Sequence, residues 1–599
     1  MKMKVAEYIA DFIVRQGVTD LFTVTGGGAM HLNDAFGHKE GLHSVYNHHE
    51  QACSIAAEGY ARLTGKVAAV CVTSGPGGTN AITGVLGGWQ DSIPMFIVSG
   101  QVKRETTTWS TDVPLRQLGD QEFQIVDTVK TMTKYAHMVT EPTEIRYHLE
   151  KAWYLCMKGR KGPVWLDIPL DVQAAPIETE ELNGFDPSEL ATPEHPIYDT
   201  ALSEIILEKI AKAKKPVILA GTGIRLGDAY EEFLQLIDKL GIPVVTAWNA
   251  HDLLWDEHPL YCGRPGTVGT RGGNFVVQNA DLLLVLGCRM NIRQISYNYH
   301  DFAKNAYKIV VDIDQAELHK PTVDVDLRVH ADVKDMMRHV LNMDYAGKTE
   351  AHSTWLTWAR AINRRYPATL PTYYDTASPI NPYVFITKLS GHLEEGDDVI
   401  CGNGSACVIT FQAMEIKRKQ RLFTNSGCAA MGYGFPAALG VCVARQGKRV
   451  ICLDGDGSFQ MNIQELQTVV YNHLNIKLII LNNNGYHSIR QTQTNLFKGK
   501  PLVGVCDGNG LSFPSFEKIA YAYDIPYIRI DTLEHVDERL EKLLQSEGPM
   551  LCEVIVDETQ NFEPKLSSKV LPDGKIVSPP IDDMYPFLPK EEYEENHRI

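Results

Sequence analysis

Short apolar runs closed by glycines alternate along the chain with longer stretches whose apolar residues recur at helical spacing. This rhythm predicts parallel sheets covered by helices. Candidate strands are Val67 to Thr73, Pro216 to Ala220, Asp281 to Leu286, Val450 to Asp454 and Lys477 to Leu481. Two stretches break the rhythm: Gln173 to Thr200, rich in Pro, Glu and Asp, and Tyr345 to Ile380, which lacks a strand pattern for most of its length. Read as linkers, they divide the chain into doubly wound α/β blocks at 1–175, 195–345 and 375–560, with a tail at 561–599. Met1 to Gln16 mixes Lys2, Lys4, Glu7 and Asp11 among apolar residues, which predicts an amphipathic helix and excludes a signal-peptide core.

The first and third blocks echo one another. A helix through Ala56 to Leu63 leads by Gly65 and Lys66 into a strand and then Gly75-Pro76-Gly77-Gly78; a helix through Pro436 to Ala444 leads by Gly447 and Lys448 into a strand and then Gly455-Asp456-Gly457. Any two doubly wound blocks share this order, so common descent of the two stays open.

Composition narrows the function. At 599 residues the chain is long enough for about three domains. A net charge of -17 argues against a partner bound through its phosphate backbone. The twelve cysteines form no C-x-x-C pair, which suits a reducing compartment and no structural disulfides. With no apolar run long enough to span a bilayer, a cytoplasmic enzyme is expected.

The sharpest local signal is Gly455-Asp456-Gly457-Ser458, at a strand end before a helical stretch beginning near Asn462. Glycines there let N–H groups approach phosphate oxygens, and the carboxylate can face a divalent cation. Alone, such a triplet is usually a tight turn. The strand KLIILNNNGY strengthens it, because Asp456 and Asn483 could both supply oxygen ligands at the carboxyl edge of one sheet. Hard oxygen ligands beside a diphosphate suit Mg2+ better than zinc.

GDGSFQMNIQELQTVVYNHLNIKLIILNN resembles the cofactor signature of thiamine-diphosphate enzymes, and HHEQACSIAAEGYARLTG with TSGPGGTN resembles the pyrimidine-binding block of the acetolactate synthase group. The resemblance covers most of residues 1 to 560. It implies a pyrimidine-binding first domain, a central domain and a diphosphate-binding third domain. Asp456, Asn483 and the Gly485 carbonyl would hold Mg2+, with Gly455, Gly457 and Ser458 near the diphosphate. Glu50 would hydrogen-bond the pyrimidine ring and drive formation of the nucleophilic carbon; the plainer alternative is an exposed helix-start glutamate. In SGCAAMGYG, Gly427, Ala429 and Met431 would lie against the cofactor, Met431 as the wedge that bends it. Ala429 stands where the family often has glycine.

The same resemblance implies cleavage of a 2-keto acid, pyruvate first, and transfer of the two-carbon fragment to a carbonyl acceptor. Gln101, Phe123 and Gln124 fall on the substrate side, Tyr486 and His487 on the acceptor side. In the middle block Gly221, Gly223, Arg289 and Asp312 lie in stretches that resemble an FAD-binding pattern, and Arg289 matches an arginine that faces the acceptor's carboxylate. Thr492 stands where acetolactate synthases carry a tryptophan, which opens the acceptor pocket to a ketosugar or larger ketone. Active sites would span the interface of a homodimer or homotetramer. A simple decarboxylase, an FAD-dependent oxidase, and an inactive scaffold or regulatory homologue are the competing readings.

Overall fold

A computed structural model describes residues 2–190, 195–570 and 574–598. The chain opens with a short strand, β1 (Lys2–Lys4), ahead of the helix Val5–Arg15. The helix expected from Met1 therefore starts later, because residues 2–4 pair as extended backbone; Met1 lies outside the described residues. The first domain holds β2 (Asp20–Thr23), β3 (His43–Tyr46), β4 (Ala69–Val72), β5 (Phe96–Gln101), β6 (Tyr135–Met138) and β7 (Val164–Pro169). They lie parallel in the order β3-β2-β4-β5-β7-β6. Next, β8 (Pro176–Glu178) returns antiparallel onto β1, with Met3 opposite Ile177. Part of the Gln173 to Thr200 stretch is thus strand, and its residues 191–194 lie outside the described residues.

The central domain is a five-stranded parallel sheet of β9 (Pro216–Ala220), β10 (Val244–Thr246), β11 (Leu282–Leu286), β12 (Tyr307–Asp312) and β13 (Leu327–His330), ordered β10-β9-β11-β12-β13. The stretch after it is more than a linker. Glu350–Arg365 is a sixteen-residue helix, capped by the Thr349 side chain, that buries His352, Trp355, Ala359 and Ile362 and sends the Trp355 indole N–H to the Pro216 carbonyl at 3.0 Å.

The third domain repeats the first. Its strands are β14 (Asp398–Cys401), β15 (Arg421–Phe423), β16 (Val450–Gly455), β17 (Ile476–Asn482), β18 (Tyr527–Ile530) and β19 (Met550–Ile555). In space they run β15-β14-β16-β17-β19-β18, the same permutation as the first sheet. Helices cover both faces, which is why β16 and β17 read as unbroken apolar runs. The direction of winding reverses between β14 and β16, and in open α/β sheets ligands bind beyond the carboxyl ends at such a point.

The two echoing helices meet. Glu50–Thr64 packs directly on Gly434–Ala444. A Cβ on Gly59 would lie 2.6 Å from the Ala437 carbonyl oxygen, and one on Gly440 only 1.9 Å from that of Ala56. The contact is backbone against backbone, with no flexible side chain to yield. Gly440→Ala is therefore expected to cost at least roughly 1–3 kcal/mol, the usual cost of overpacking a core. Urea unfolding of the full chain measures it, and a midpoint equal to the parent's would contradict so close a crossing.

Candidate active site

The cation-loop candidates gather at the carboxyl end of the third sheet. Strand β16 pairs parallel with β17, Gly455 opposite Leu481, so Asp456 and Asn483 leave adjacent strands. Asp456 is buried; one carboxylate oxygen accepts the Gly485 N–H at 2.9 Å. Burial pushes its carboxyl up to about 7, although the N–H groups of Gly485 and Gly457 pull the other way. Asn483 donates its amide to Ser405 Oγ at 3.1 Å, while its Oδ1 is buried with no hydrogen-bond partner. Asp454 Oδ2 and both His487 ring nitrogens are likewise buried without a partner of good geometry.

Buried polar atoms are nearly always paired, so the unpaired atoms of Asp454, Asn483 and His487 could receive a bound group here. Among the described residues no cluster of three His, Cys, Asp or Glu side chains could hold a metal. A cation here would draw on Asp456, the Asn483 amide oxygen and main-chain oxygen, with phosphate completing the set. That is the Mg2+ pattern of one or two carboxylates plus phosphate.

Gly457 is required by space: a Cβ there would lie 2.2 Å from the Tyr486 ring. Tyr486 makes an edge contact with Phe513, and His487 makes one with Phe562. Burial lowers His487 to about 4, so its imidazole is neutral near pH 7. The Ser458 hydroxyl accepts the Gly432 N–H at 3.0 Å. The helical stretch expected near Asn462 comes in two pieces: Phe459–Asn462 is a 3-10 turn, and the α-helix runs Glu465–Tyr471. In the facing loop, Gly427 donates its N–H to Asp91 Oδ1 at 2.9 Å and has no room for a Cβ against Gln90 and Asp91. Ala429 sits at φ +53 and its carbonyl accepts from the Asn403 amide at 3.2 Å. Met431, between Ala430 and Gly432 in sequence, is half-buried.

Glu50 is the first residue of the Glu50–Thr64 helix, whose cap is the His49 imidazole accepting from the Gln51 N–H. Its Oε2 accepts from the Asn80 amide at 3.0 Å. The surrounding segment is clamped to the third domain: Asn47 and the His48 N–H bond to the Glu465 carboxylate, and Gln51 accepts from the Asn462 amide.

Gln101, Phe123 and Gln124 line one small depression together with Trp109 and Asp167. The Gln101 amide is already committed, donating to the Phe123 carbonyl at 2.8 Å and Asp167 Oδ2 at 3.0 Å. Gln124 donates to Thr108 Oγ1 at 2.6 Å. Two residues absent from the sequence reading organise this region. Burial pushes Asp167 up to about 7 despite donors from Ser99 and Gln101. Burial acts upward on Glu122 too, but the N–H groups of Thr108, Leu118 and Gly119 and the Thr108 hydroxyl hold it below the usual carboxylate range. Neither carries a motif, since its partners are loop N–H groups and distant strands.

The middle-block candidates meet elsewhere. Thr222, Gly223, Arg289 and Asp312 line a cleft of about 240 Å3 between the first and central domains, and Gly221 borders the adjoining slot. Cβ atoms on Gly221 or Gly223 would lie within 2.3 to 2.7 Å of Gly287 backbone, so these glycines serve the close approach of two loops. Burial pushes Asp312 up to about 6. Arg160 spans the cleft to Asp314 and Glu317 at 2.7 and 2.9 Å, and an open groove of about 520 Å3 shares Arg160, Lys161 and Arg289 with it. Arg289 Nη2 lies 3.5 Å from Asp91.

Three family models match in chain order: thiamine pyrophosphate enzyme, N-terminal TPP binding domain, over residues 3–130; central domain over 203–340; and C-terminal TPP binding domain over 402–554. The acetolactate synthase large subunit of Lactococcus lactis subsp. lactis (strain IL1403) is 33% identical over 567 residues, 94% of each chain. The probable acetolactate synthase large subunit of Methanocaldococcus jannaschii is 31% identical, covering 100% of this chain and 98% of the relative. The acetolactate synthase isozyme 1 large subunit of Escherichia coli (strain K12) is 30% identical over 93% and 95%.

The glycine-rich loop 427–432 supplies a direct check on its backbone. A non-glycine residue in the left-handed region costs about 1–2 kcal/mol, partly offset by the roughly 0.4–1 kcal/mol a glycine adds to unfolded-chain entropy. Ala429→Gly is thus expected to leave stability unchanged or raise it by roughly 0.5–1 kcal/mol. At Gly432 both φ, +81, and space, 2.8 Å to Asn462 and Met461, oppose a side chain, so Gly432→Ala should cost more than about 1 kcal/mol. Denaturation midpoints of the two variants shifting in the same direction would refute the assigned conformations.

Proposed function

The chain belongs to the thiamine pyrophosphate enzymes, in their acetolactate synthase large-subunit branch, and we propose that it decarboxylates pyruvate and joins the two-carbon fragment to a ketone acceptor larger than a second pyruvate. It is an enzyme of the acetolactate-synthase-like carboligase type. The observation that carries the reading is the meeting of Asp456 and an unpartnered Asn483 Oδ1 at one sheet edge, in a chain whose near full length matches acetolactate synthase large subunits.

Asp456, the Asn483 side chain and the Gly485 carbonyl would hold Mg2+, and Gly455, Gly457 and Ser458 would receive the diphosphate. Gly427, Ala429 and Met431 would border the thiamine rings. Thiamine diphosphate supplies a carbon nucleophile and an electron sink for loss of CO2. Glu50, oriented by the Asn80 amide, would hold a proton at the pyrimidine ring. Gln101, with its amide turned to Asp167, would shape the substrate side through packing, and Phe123 and Gln124 would face the substrate from the same loop. The neutral His487 and Tyr486 would border the acceptor. An acceptor larger than pyruvate is favoured by Thr492, which is exposed with its hydroxyl folded back on the Ser488 carbonyl at 2.8 Å and leaves the helix surface uncovered there.

The groove beside the central cleft, about 520 Å3, falls in the roughly 300–1,000 Å3 range of ligand sites. The polar groups of cleft and groove suit FAD: Lys161 and Arg289 would donate to the diphosphate, and the buried carboxylate of Asp312 would accept from ribose hydroxyls. The protein is proposed to act in the cytoplasm, where its twelve free thiols persist. Its active unit is proposed as a homodimer or homotetramer, supported by exposed Met30, Tyr46, Met461 and Tyr471 near the Glu50 and Asp456 segments in sequence. No helix among the described residues is long and apolar enough to cross a membrane.

Mass spectrometry of products from pyruvate, thiamine diphosphate, Mg2+ and FAD, with and without ketosugars and 2-keto acids, is expected to give a condensed product with the larger ketones. Acetaldehyde or acetate alone would favour the decarboxylase or oxidase. Glu50→Gln is expected to lower turnover by about 10²–10⁴-fold while cofactor affinity by calorimetry stays within a few-fold. Flavin absorbance of the purified protein, lost in Gly223→Val, checks the second cofactor; a colourless protein that takes up no flavin removes it.

A further inference from the structure

Arg490 took no part in the sequence reading, yet it reaches the cation loop from the helix His487–Leu496. Its side chain is largely enclosed. One guanidinium nitrogen, Nη1, donates to the Asn483 carbonyl at 3.0 Å and the Glu558 carbonyl at 3.3 Å. The other, Nη2, donates to the Asn484 carbonyl at 2.8 Å and pairs with the Glu558 carboxylate at 3.1 Å. A planar fork of N–H donors can bridge several carbonyls in this way, which a single ammonium cannot.

The loop needs such a restraint. Asn484 at φ +52 and Gly485 at φ +150 are consecutive residues outside the common backbone regions. Asn and Gly reach such values, and many others, at little cost, so it is the surroundings that hold this conformation. The surroundings are specific: the Asn484 N–H goes to Asn482 Oδ1 at 2.9 Å, the Gly485 N–H to Asp456, and the Tyr486 N–H to the Val505 carbonyl at 3.1 Å. A Cβ on Gly485 would lie 2.6 Å from the Val505 oxygen and 2.9 Å from Arg490 Nη2, so the loop is pressed between these two. With the carbonyls of Asn483 and Asn484 taken, that of Gly485 is left without a hydrogen bond among the described residues.

We propose that Arg490 is a positioning residue for the divalent cation: by holding the Asn483 and Asn484 carbonyls away, it leaves Asn483 Oδ1 and the Gly485 carbonyl as the oxygens presented beside Asp456. The inference rests on the Mg2+ reading of this loop. Mg2+ demands near-octahedral ligands at short distances, whereas Ca2+ accepts irregular ones. A loosened loop should therefore lose Mg2+ more than Ca2+, which a merely structural role for Arg490 would not produce.

The test titrates Mg2+, and separately Ca2+, into the full-length protein with thiamine diphosphate by calorimetry, for the parent and for Arg490→Ala, Arg490→Lys and Asp456→Ala. Arg490→Ala is expected to weaken Mg2+ by roughly 10–100-fold, the usual effect of losing a partner of a metal ligand, and to weaken Ca2+ several-fold less. Arg490→Lys should not restore the parent value, and it carries the same expectation should Arg490→Ala fail to fold. Unchanged Mg2+ affinity in the Arg490 variants, or equal losses for both ions, with Asp456→Ala still abolishing binding, would overturn the role of Arg490 alone. Undiminished Mg2+ affinity in Asp456→Ala would overturn the cation site itself.

Discussion

A small buried charge cluster fixes how the three domains meet. Arg62, one turn beyond Gly59, pairs with the fully buried Glu58 and with Asp91 at 2.8 Å. Glu58 also accepts from the Tyr433 hydroxyl at 2.7 Å and the Asn425 amide at 3.3 Å, and Asp91 from the N–H groups of Ser426 and Gly427. Arg289 approaches Asp91 from the central domain. Desolvating these charges costs several kcal/mol per ion, recovered only when geometry and further hydrogen bonds are in place. The cluster is satisfied in one arrangement of the three domains, so it selects that arrangement as well as stabilising it. The glycine-lined helix crossing beside it supplies the close approach that makes the pairing possible.

That arrangement has a chemical consequence. With the Glu50–Thr64 helix seated on Gly434–Ala444, its first turn is brought to the Asn462 and Glu465 segment, which follows directly on Gly455-Asp456-Gly457-Ser458. The contacts that hold the domains together thus also fix the segments that flank Glu50 and Asp456. Gly427 links the two segments most plainly, because its N–H completes the shell of Asp91 while the same loop is tied by the Ala429 carbonyl to Asn403 and by the Gly432 N–H to Ser458.

What the chain reveals before folding follows from how local each signal is. Strand β9 was legible to its ends, and β16 and β17 within a residue, because strands buried on both faces are continuous apolar runs. The echo of first and third blocks became an identical strand permutation for the same reason. The helix Glu350–Arg365 was hidden although its buried positions 352, 355, 359 and 362 keep helical spacing. Polar and charged residues outnumber them, and one histidine among four contacts blurs the stripe. In the site, Asp456 and Asn483 were legible because each ends a recognisable strand. Asp167 was not, since its partners Ser99 and Gln101 lie on a strand far back along the chain; Glu122 is held by N–H groups of its own loop, which no residue type announces; and Glu58 looks like an ordinary helical ion pair with Arg62 until Asn425 and Tyr433 of the third domain close on it. Arg490 was hidden for a different reason: its donors go to backbone carbonyls, and no residue type announces a carbonyl that needs holding.

The irregular backbone therefore repays attention more than the regular sheet. Residues 402–404, 427–432 and 483–485 all sit at the carboxyl end of the third sheet, and each contains a positive φ: Gly404, Ala429 with Gly432, and Asn484 with Gly485. Each is tied by polar side chains from elsewhere, Asn403 to Ala429, Ser458 and Asn462 to Gly432, and Arg490 to Asn483 and Asn484. Glycine adopts a positive φ at little cost, but at Ala429 the left-handed backbone costs about 1–2 kcal/mol, which a fold of otherwise ordinary parallel strands would shed if shape were the only demand. The concentration of these loops where winding reverses, beside buried oxygens left without partners, lies inside the segment matched by the C-terminal TPP binding domain, and would keep the third domain's polar groups in place for a cofactor instead of letting them relax onto one another.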